Sequence, residues 1–373
     1  MKIGVITWFR DMNYGTVLQA FALQQFLIEK GYSPALINYI VQSQSKKSKR
    51  NIVEKIKGKI EYWLDGNFGT KFSSEFDVKA KSFYDLIDSK CVVTDKVVSD
   101  EDFIQLNDQF DAFICGSDQI WNPNWLNGRY FLNFVNSDKI KIAYAPSMGI
   151  SKIDAVSGAQ IADYLKSFSA ISLREIQAID MLKKYCDKDI SLVCDPVFLL
   201  DKGYWENLAA GEYPSEKYVL VYFLTFQPEH WKAVKAYAKQ NNLSIILIPV
   251  YGKEFYLNGC EKYPFASPLQ FINLIKHAEI VITDSFHGLA FSILLNKQFY
   301  IFERFSESNS KSQNSRIINL LSIFELENNK IDFKDKKIPI NTPVDYSKVN
   351  LTLEKLRTSS KKFLLNALEN SEQ

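Results

Sequence analysis

The stretch Ile280-Val-Ile-Thr-Asp-Ser-Phe-His-Gly-Leu-Ala-Phe-Ser-Ile-Leu-Leu-Asn296 predicts a buried strand, a short polar turn and a helix. Its first four residues are β-branched, which favours a strand, and the apolar residues after Gly288 recur at helical spacing. Open α/β sheets bind ligands at such turns, beyond the carboxyl ends of their strands. The turn holds His287, one of only three histidines in the chain, beside the free N–H groups of a helix start. The pattern indicates an anion site suited to phosphate-ester chemistry, with a capping or packing histidine as the simpler alternative.

The rest of the chain repeats this alternation of strands and helices in two series. One series covers 1–200 and the other 201–335, which predicts an α/β fold class with two Rossmann-like domains. Residues 42–100 interrupt the first series and are predicted to form a helical insertion. A final helix over 350–370 is expected to pack back on the first domain. A length of 373 residues also exceeds one ordinary core.

The composition argues against several classes of protein. A net charge of +2 gives no reason to expect nucleic acid as a partner. The five cysteines include no pair at CxxC spacing, so we predict reduced core cysteines and neither a metal site nor a disulfide framework. Because the N-terminus lacks a signal-peptide pattern and no apolar run reaches the length of a membrane span, we expect a cytoplasmic protein.

A basic segment lies inside the predicted insertion. Lys46 to Lys59 carries seven basic residues against one acidic residue, Glu54, and its isoleucines recur at helical spacing. The pattern predicts a basic amphipathic helix. A solvated surface is the simpler interpretation, and attraction to an anionic membrane or a lipid-linked phosphate is the functional one.

Two further strand ends carry polar and aromatic residues. Asn13-Tyr14-Gly15 follows the first predicted strand, and a later strand ends in Gly116-Ser-Asp-Gln-Ile-Trp-Asn-Pro123. Tryptophan faces stack on the C–H surfaces of sugars, while amide and carboxylate groups bond sugar hydroxyls. Trp121 and Trp125 therefore indicate a sugar site, with loop packing as the alternative.

Arg174 also follows a predicted strand, Ala170 to Leu173. A guanidinium is permanently charged and binds carboxylate or phosphate through two parallel hydrogen bonds. Arg174 is a candidate anion clamp, and an ordinary ion pair with a neighbouring glutamate is the alternative.

Together these stretches resemble the polysaccharide pyruvyl transferase family over nearly the whole chain. The resemblance rests on Asn13-Tyr14-Gly15, Leu18-Gln19-Ala20, Gly116 to Pro123, Ser172-Leu173-Arg174-Glu175, Asp195-Pro196, Asp284 to Gly288, Asn296-Lys297 and Asn314-Ser315-Arg316-Ile317. Each motif alone is short, but their combination is specific.

The resemblance implies two Rossmann-like domains facing a cleft, as in GT-B glycosyltransferases, with the acceptor on 1–200 and the donor on 201–335. It implies transfer of pyruvate from phosphoenolpyruvate to a sugar of a bacterial cell-surface polysaccharide, such as an exopolysaccharide or capsule, as a cyclic ketal. Phosphoenolpyruvate is the co-substrate, and no further cofactor and no metal are expected. The implied partner is a saccharide or lipid-linked saccharide acceptor, which would bring the protein to the inner face of the cytoplasmic membrane.

The residue patterns and the resemblance together give the candidate site residues, of which Arg174 and His287 match family positions. The candidates are His287 as the catalytic residue; Arg174, Ser285, Gly288 and Arg316 for the donor; and Asn13, Tyr14, Gly15, Ser117, Asp118, Gln119, Trp121 and Asn122 for the acceptor. Related pyruvyltransferases carry Arg-Leu-His where this chain has Ser285-Phe286-His287. A donor-binding arginine is thus missing at 285, and Arg304 or Arg316 is the candidate to supply its charge.

Two alternatives stay open, because a fold alone does not set a function. One is a glycosyltransferase that uses a nucleotide sugar on the same architecture. The other is a non-catalytic sugar-binding relative, which only Ser285 suggests and which the presence of Arg174 and His287 disfavours.

Overall fold

The computed structural model describes residues 1–41, 73–225, 227–250, 254, 256–306, 313–335, 337–339 and 343–369. The predicted basic helix of Lys46 to Lys59 lies outside these ranges. Within them, no helix combines the length and the apolar character needed to cross a bilayer.

The first half of the chain builds one parallel sheet. Its strands are β1 (Lys2–Ile6), β2 (Ser33–Tyr39), β3 (Val93–Val97), β4 (Ala112–Cys115), β5 (Ile140–Ala143), β6 (Ala170–Leu173) and β7 (Ile190–Leu192). They are ordered β3-β2-β1-β4-β5-β6-β7. The helices are α1 (Tyr14–Glu29), α2 (Ser73–Lys90), α3 (Asp100–Gln109), α4 (Ala155–Leu165) and α5 (Ile176–Leu182), with short 3-10 turns at Pro123–Trp125, Gly128–Phe131 and Pro196–Phe198.

The second half builds a separate parallel sheet. Its strands are β8 (Tyr218–Tyr222), β9 (Ser244–Leu247), β10 (Glu261–Lys262), β11 (Ile280–Thr283), β12 (Gln298–Phe302) and β13 (Lys330–Ile331), ordered β10-β9-β8-β11-β12-β13. The helices are α6 (Lys202–Leu208), α7 (Pro228–Gln240), α8 (Pro268–His277), α9 (Phe286–Leu294) and α10 (Ser315–Phe324), with a 3-10 turn at Glu327–Asn329. The chain then forms α11 (Tyr346–Glu369).

Both sheets have the strand order of a Rossmann fold. In each sheet, the first three strands are added outward from a central strand, and the later strands are added on the other side of that central strand. The direction of strand addition therefore reverses between β1 and β4 in the first sheet and between β8 and β11 in the second. Ligands of open α/β sheets bind at this reversal, beyond the carboxyl ends of the strands. The topology confirms the predicted α/β class with two Rossmann-like sheets.

Helix α1 is buried on nearly all of its faces. It begins at Tyr14, where the Asn13 side chain accepts hydrogen bonds from the N–H groups of Gly15 and Thr16. Nearly every residue from Tyr14 to Leu27 is buried, because α1 has the first sheet on one side and the second half on the other. The Tyr14 ring, for example, stacks on Phe271 of α8 with 4.3 Å between ring centroids.

The prediction that residues 42–100 form a purely helical insertion was wrong at its C-terminal end. Strand β3 pairs in parallel with β2 and forms the edge of the first sheet. The Gln24 side chain bonds both backbone groups of Val92 just before this strand, with distances of 2.8 and 2.9 Å. A short, half-exposed edge strand has a weak apolar pattern, which explains why sequence periodicity did not reveal it.

Helix α11 returns to the first half after the second sheet is complete. Ser360 Oγ accepts a 2.9 Å hydrogen bond from the N–H of Cys194, and Arg357 Nε donates one of 2.6 Å to the carbonyl of Phe198. The Lys361 ammonium lies 5.6 Å from the ring centre of Phe26 in α1. The last helix therefore packs against the C-terminal end of the first half.

Candidate functional site

The loops at both strand-order reversals come together. Those after β1 and β4 belong to the first half, and those after β8 and β11 to the second. They bring Gly15 and Asp118 close to His287 and to residues that follow β6 and β7. The site is therefore built from residues of both halves.

His287 lies in the first turn of α9 and is 6% exposed. Its Nε2 atom is 3.5 Å from Asp195 Oδ2. The other side of the imidazole faces Gly15 so closely that a Cβ there would be 1.8 Å from Nδ1. Only glycine at position 15 leaves room for this ring position, so Gly15 and Asp195 together fix the histidine.

Asp195 is a buried carboxylate that is held in its charged form. Burial alone would raise its pKa, but His287, Arg174 and the N–H of Val197 outweigh that effect and lower the pKa to about 2. The Val197 N–H donates a 3.1 Å hydrogen bond to Oδ1, and Arg174 Nη1 pairs with Oδ2. A charged carboxylate therefore lies beside His287.

Arg174 is buried at the end of β6. The ion pair of its alternative interpretation is present but long: Nε is 4.0 Å from Glu175, whose carboxylate accepts from Ser147 Oγ and the N–H of Met148. Arg174 pairs more closely with Asp195 through Nη1. Its Nε and Nη2 atoms find no hydrogen-bond partner among the residues that the structure describes.

Arg316 adds a second buried guanidinium. The guanidinium carbons of Arg174 and Arg316 lie 4.4 and 5.8 Å from the ring centre of Phe286. Burial and the repulsion of Arg174 lower the pKa of Arg316 to about 10, against the attraction of nearby carboxylates. With its amide oxygen turned to Arg316, Gln119 accepts 3.1 Å hydrogen bonds from both terminal nitrogens.

The predicted donor residues Ser285 and Gly288 have local structural roles. Ser285 Oγ caps α9 by accepting a 3.3 Å hydrogen bond from the N–H of Gly288. A Cβ at Gly288 would be 2.6 Å from Thr283 Oγ1, so glycine allows the helix to approach the strand before it. Arg304 lies two residues after β12, and its Nε is 4.0 Å from Asp284 Oδ2.

Several predicted acceptor residues are engaged within the protein. Ser117 Oγ donates to the carbonyl of Ala145 at 2.6 Å, and Tyr14 OH donates to that of Ala266 at 2.7 Å. Asp118 accepts a 2.6 Å hydrogen bond from Thr16 Oγ1 and has Arg174 Nη2 3.9 Å from its other oxygen. The buried Asn122 accepts from the N–H of Asn124, while its Nδ2 has no partner in the described part of the chain.

The prediction that Trp121 stacks on a sugar is not supported by its position. The ring is 0% exposed, stacks on Phe131 at 4.8 Å between centroids, and donates from Nε1 to the carbonyl of Tyr130. The exposed tryptophan of this segment is Trp125, at 44%, which lies 6.2 Å from Trp8 between ring centroids. Loop packing, the alternative interpretation of the pair, therefore describes Trp121, and it describes Trp125 in part, because Nε1 of Trp125 donates a 3.1 Å hydrogen bond to the carbonyl of Gln119.

A cavity of about 320 Å³ opens beside this cluster. It is lined by Asp11, Met12, Asn13, Lys79, Tyr222, Leu224, Val250 and Arg304. Asp284 lies next to Arg304, and burial raises its pKa to about 7 despite that arginine and two backbone N–H groups. The cavity, like the cluster, has residues of both halves in its walls.

Sequence reasoning missed two charged residues of this region. Asp195 follows β7 and ends a strand of the same sheet as Arg174, which was the available signal. Lys79 belongs to α2 inside the insertion, and nothing in its local sequence distinguishes it from the exposed lysines around it.

A comparison with known proteins identifies the family of this chain. The family profile described as polysaccharide pyruvyl transferase matches residues 13–306. The chain belongs to the polysaccharide pyruvyl transferase family. The matched region contains Arg174, Asp195 and His287 and ends before Arg316. No curated protein matches the chain.

Solved structures resemble this pyruvyl transferase family member only at low identity. The S. aureus MnaA–UDP structure is 12% identical, with a TM-score of 0.47 and coverage of 95% of this chain and 87% of that chain. UDP-GlcNAc 2-epimerase from Neisseria meningitidis bound to UDP-GlcNAc is 10% identical, with a TM-score of 0.47 and 99% coverage of both chains. E. coli heptosyltransferase WaaC with ADP is 10% identical, with a TM-score of 0.44 and coverage of 95% and 100%. Similarity at this level says nothing about the ligands of this chain.

Proposed function

We propose that the protein transfers pyruvate from phosphoenolpyruvate to two hydroxyls of a saccharide, forming a cyclic ketal and releasing phosphate. The observation that carries the proposal is the cluster of His287, Asp195 and Arg174 within a region that matches the pyruvyl transferase family. Arg316 and Arg304 add positive charge around the same loops. Phosphoenolpyruvate carries a carboxylate and a phosphate, and both need fixed cations or N–H donors.

The reaction balances because one of the two hydroxyl protons replaces the proton that is added to phosphoenolpyruvate and the other leaves on the phosphate. A proton adds to the methylene carbon of phosphoenolpyruvate, which leaves an oxocarbenium-like centre at its second carbon. A sugar hydroxyl forms a C–O bond there and loses its proton. The bond to the phosphate oxygen then breaks, phosphate leaves, and a neighbouring hydroxyl closes the ketal and releases its proton.

His287 is the group we assign to these proton steps. Histidine changes its charge near neutral pH, which suits a residue that gives and takes protons. The charged Asp195 lies 3.5 Å from Nε2, and Gly15 leaves the space that the ring occupies. Asp195 acts through His287 and is a positioning residue in this scheme.

The acceptor is the less defined substrate. Trp125 offers an exposed aromatic face near the segment that holds Asp118 and Gln119. We propose a saccharide or lipid-linked saccharide of a bacterial cell-surface polysaccharide, used on the cytoplasmic side. A lipid-linked acceptor would bring the protein to the inner face of the membrane.

Mass spectrometry of acceptor glycans tests the proposal. Wild-type protein with phosphoenolpyruvate should add one ketal-linked pyruvate to an acceptor and release one phosphate per product. The same glycans with nucleotide sugars should stay unchanged. Glycosyl transfer without pyruvylation would favour the glycosyltransferase alternative, and saccharide binding without turnover of either donor would favour the non-catalytic one.

A further inference from the structure

The 320 Å³ cavity between the two halves has an unusual pair of cations in its wall. Asp11, Asn13 and Lys79 come from the first half, and Tyr222, Val250 and Arg304 from the second. Lys79 enters from α2, the helix of the insertion, and not from a loop at a strand end. The insertion thus reaches the carboxyl ends of both sheets.

Lys79 is buried without a hydrogen-bonded counterion. The residue is 6% exposed, and no hydrogen bond or ion pair within 4 Å joins its Nζ atom to the residues that the structure describes. Its nearest ring contact is Tyr14, with 5.4 Å between Nζ and the ring centre. Burial lowers the pKa of Lys79 to about 8, although the more distant Glu254 opposes this effect. Burying a charge is unfavourable unless a partner compensates it, so a bound anion would stabilise this ammonium.

Arg304 is also incompletely neutralised. Its Nε donates a 3.2 Å hydrogen bond to Thr225 Oγ1, and its neighbouring carboxylate, Asp284, is 4.0 Å away. Because burial raises the pKa of Asp284 to about 7, that carboxyl is partly protonated near neutral pH and offsets less than a full charge. Two cations and one carboxylate, Asp11, therefore line one small cavity, and the charged lining residues sum to a net positive charge.

The size and position of the cavity favour a small anion. Ligand pockets span roughly 300–1,000 Å³, and this one lies at the small end of that range. One lining residue leads towards His287: Asn13 lines the cavity, and Gly15, two residues later, faces the imidazole.

We propose that Lys79 and Arg304 form the subsite for the phosphate group of the donor, with Lys79 as a donor-binding residue supplied by the insertion helix. The proposal rests on the proposed function, since it identifies the donor as phosphoenolpyruvate. In this arrangement the phosphate lies between two cations from opposite halves. Its enol carbon is thereby directed towards His287, and donor binding holds the halves together.

Calorimetry with a matched pair of variants tests the subsite. Lys79→Met removes the charge and keeps the length of the side chain, whereas Lys81→Met alters an exposed lysine of the same helix that pairs only with Asp85. Loss of a charge-assisted hydrogen bond is worth about 1.5–3 kcal/mol, so Lys79→Met should weaken phosphoenolpyruvate binding by about 10- to 100-fold. Inorganic phosphate should lose affinity in the same variant, and Lys81→Met should bind both ligands like wild type.

The outcomes separate this inference from the proposed function. Unchanged phosphoenolpyruvate affinity in Lys79→Met would overturn the subsite, even if wild-type protein makes the ketal. Phosphate binding that depends on Lys79, in a protein that pyruvylates no acceptor, would overturn the proposed function and keep the subsite. Should Lys79→Met fold poorly, Lys79→Gln and the KM for phosphoenolpyruvate replace it: a raised KM supports the subsite, and an unchanged KM contradicts it.

Discussion

His287 depends on two residues that are distant in the sequence. Gly15 follows β1 and leaves space for the imidazole, and Asp195 follows β7 and lies 3.5 Å from Nε2. The histidine itself follows β11 of the other sheet. Three strand ends thus determine one ring position, and each contact can be removed separately.

Replacing His287 should affect the rate more than donor binding. A general acid or base typically contributes about 10²–10⁴ to a rate, so His287→Ala should lose ketal formation on that scale. His287→Gln should do little better, because an amide does not exchange protons near neutral pH. Single-turnover rates and calorimetry with phosphoenolpyruvate measure the two effects. If His287→Ala keeps turnover and loses only thermal stability, the histidine is a structural cap.

Gly15→Ala should displace the same ring without touching its chemistry. The new Cβ would be 1.8 Å from His287 Nδ1, so the imidazole must leave its position between Gly15 and Asp195. We expect kcat to fall by at least about tenfold, since small misplacements of catalytic groups have effects of this size or larger. Gly203→Ala in α6 is the control, because its nearest neighbour there is 3.4 Å away. Equal kcat values in the two variants would contradict the role of Gly15.

At the scale of elements, the segment from β4 to the 3-10 turn at Pro123–Trp125 has some side chains in the core and others on the surface. Trp121 and Trp125 differ by four positions, yet one is enclosed and the other is exposed. The polar residues between them, including Asn122 and Asn124, bond within the turn. The segment therefore has a packing side and a side open to a ligand.

This separation predicts opposite consequences for the two tryptophans. Trp121→Ala should lower the free energy of unfolding by about 3–5 kcal/mol, the usual effect of removing a large buried ring. Trp125→Ala should lower it far less and should raise the acceptor KM at an unchanged KM for phosphoenolpyruvate. Denaturant unfolding and steady-state kinetics make the comparison. A stable, active Trp121→Ala protein would show that this ring is not part of the core.

The elements were more predictable than the contacts between them. β-branched runs followed by polar turns located β11 and α9, because those signals are local in the sequence. The pairing of Asp195 with Arg174 joins residues 21 positions apart, and the contact between Gly15 and His287 depends on how the two halves meet. Burial of Trp121 was likewise hidden, since its polar neighbours gave the segment the composition of an exposed loop.

At the scale of the whole molecule, the two sheets share one continuous core. Apolar residues of α1 and of the second-half helices α8 and α9 belong to the same buried cluster. The charged residues His287, Asp195 and Arg174 lie where the halves meet, so stability and site geometry depend on the same contact.

The free energy of unfolding should change with pH because of the titration of Asp284. Its pKa is about 7 in the folded protein and about 3.9 in an unfolded chain, so the native state binds more protons between these values. Its contribution is fully present below about pH 4 and is lost as the pH rises to about 7. Asp284→Asn should remove this fall in stability.

Thermal unfolding of the wild-type protein and of Asp284→Asn across that pH range measures the contribution of Asp284 to stability as the difference between the two proteins. Burial lowers the pKa of His230, which reduces stability as the pH falls below about 6.5, the opposite direction. Subtracting the Asp284→Asn curve from the wild-type curve cancels that contribution. Asp138→Asn on the surface serves as the control, and parallel wild-type and Asp284→Asn curves would show that Asp284 does not hold a proton.

The return of α11 to the first half has a mechanical consequence. The chain crosses between the halves twice, after Phe198 and before Tyr346. A body tethered at one point can swing in any direction, whereas one tethered at two points turns mainly about the line that joins them. If the halves part to admit a donor, they therefore reclose along the same arc. His287 then returns to the same position against Gly15 and Asp195 each time the halves close.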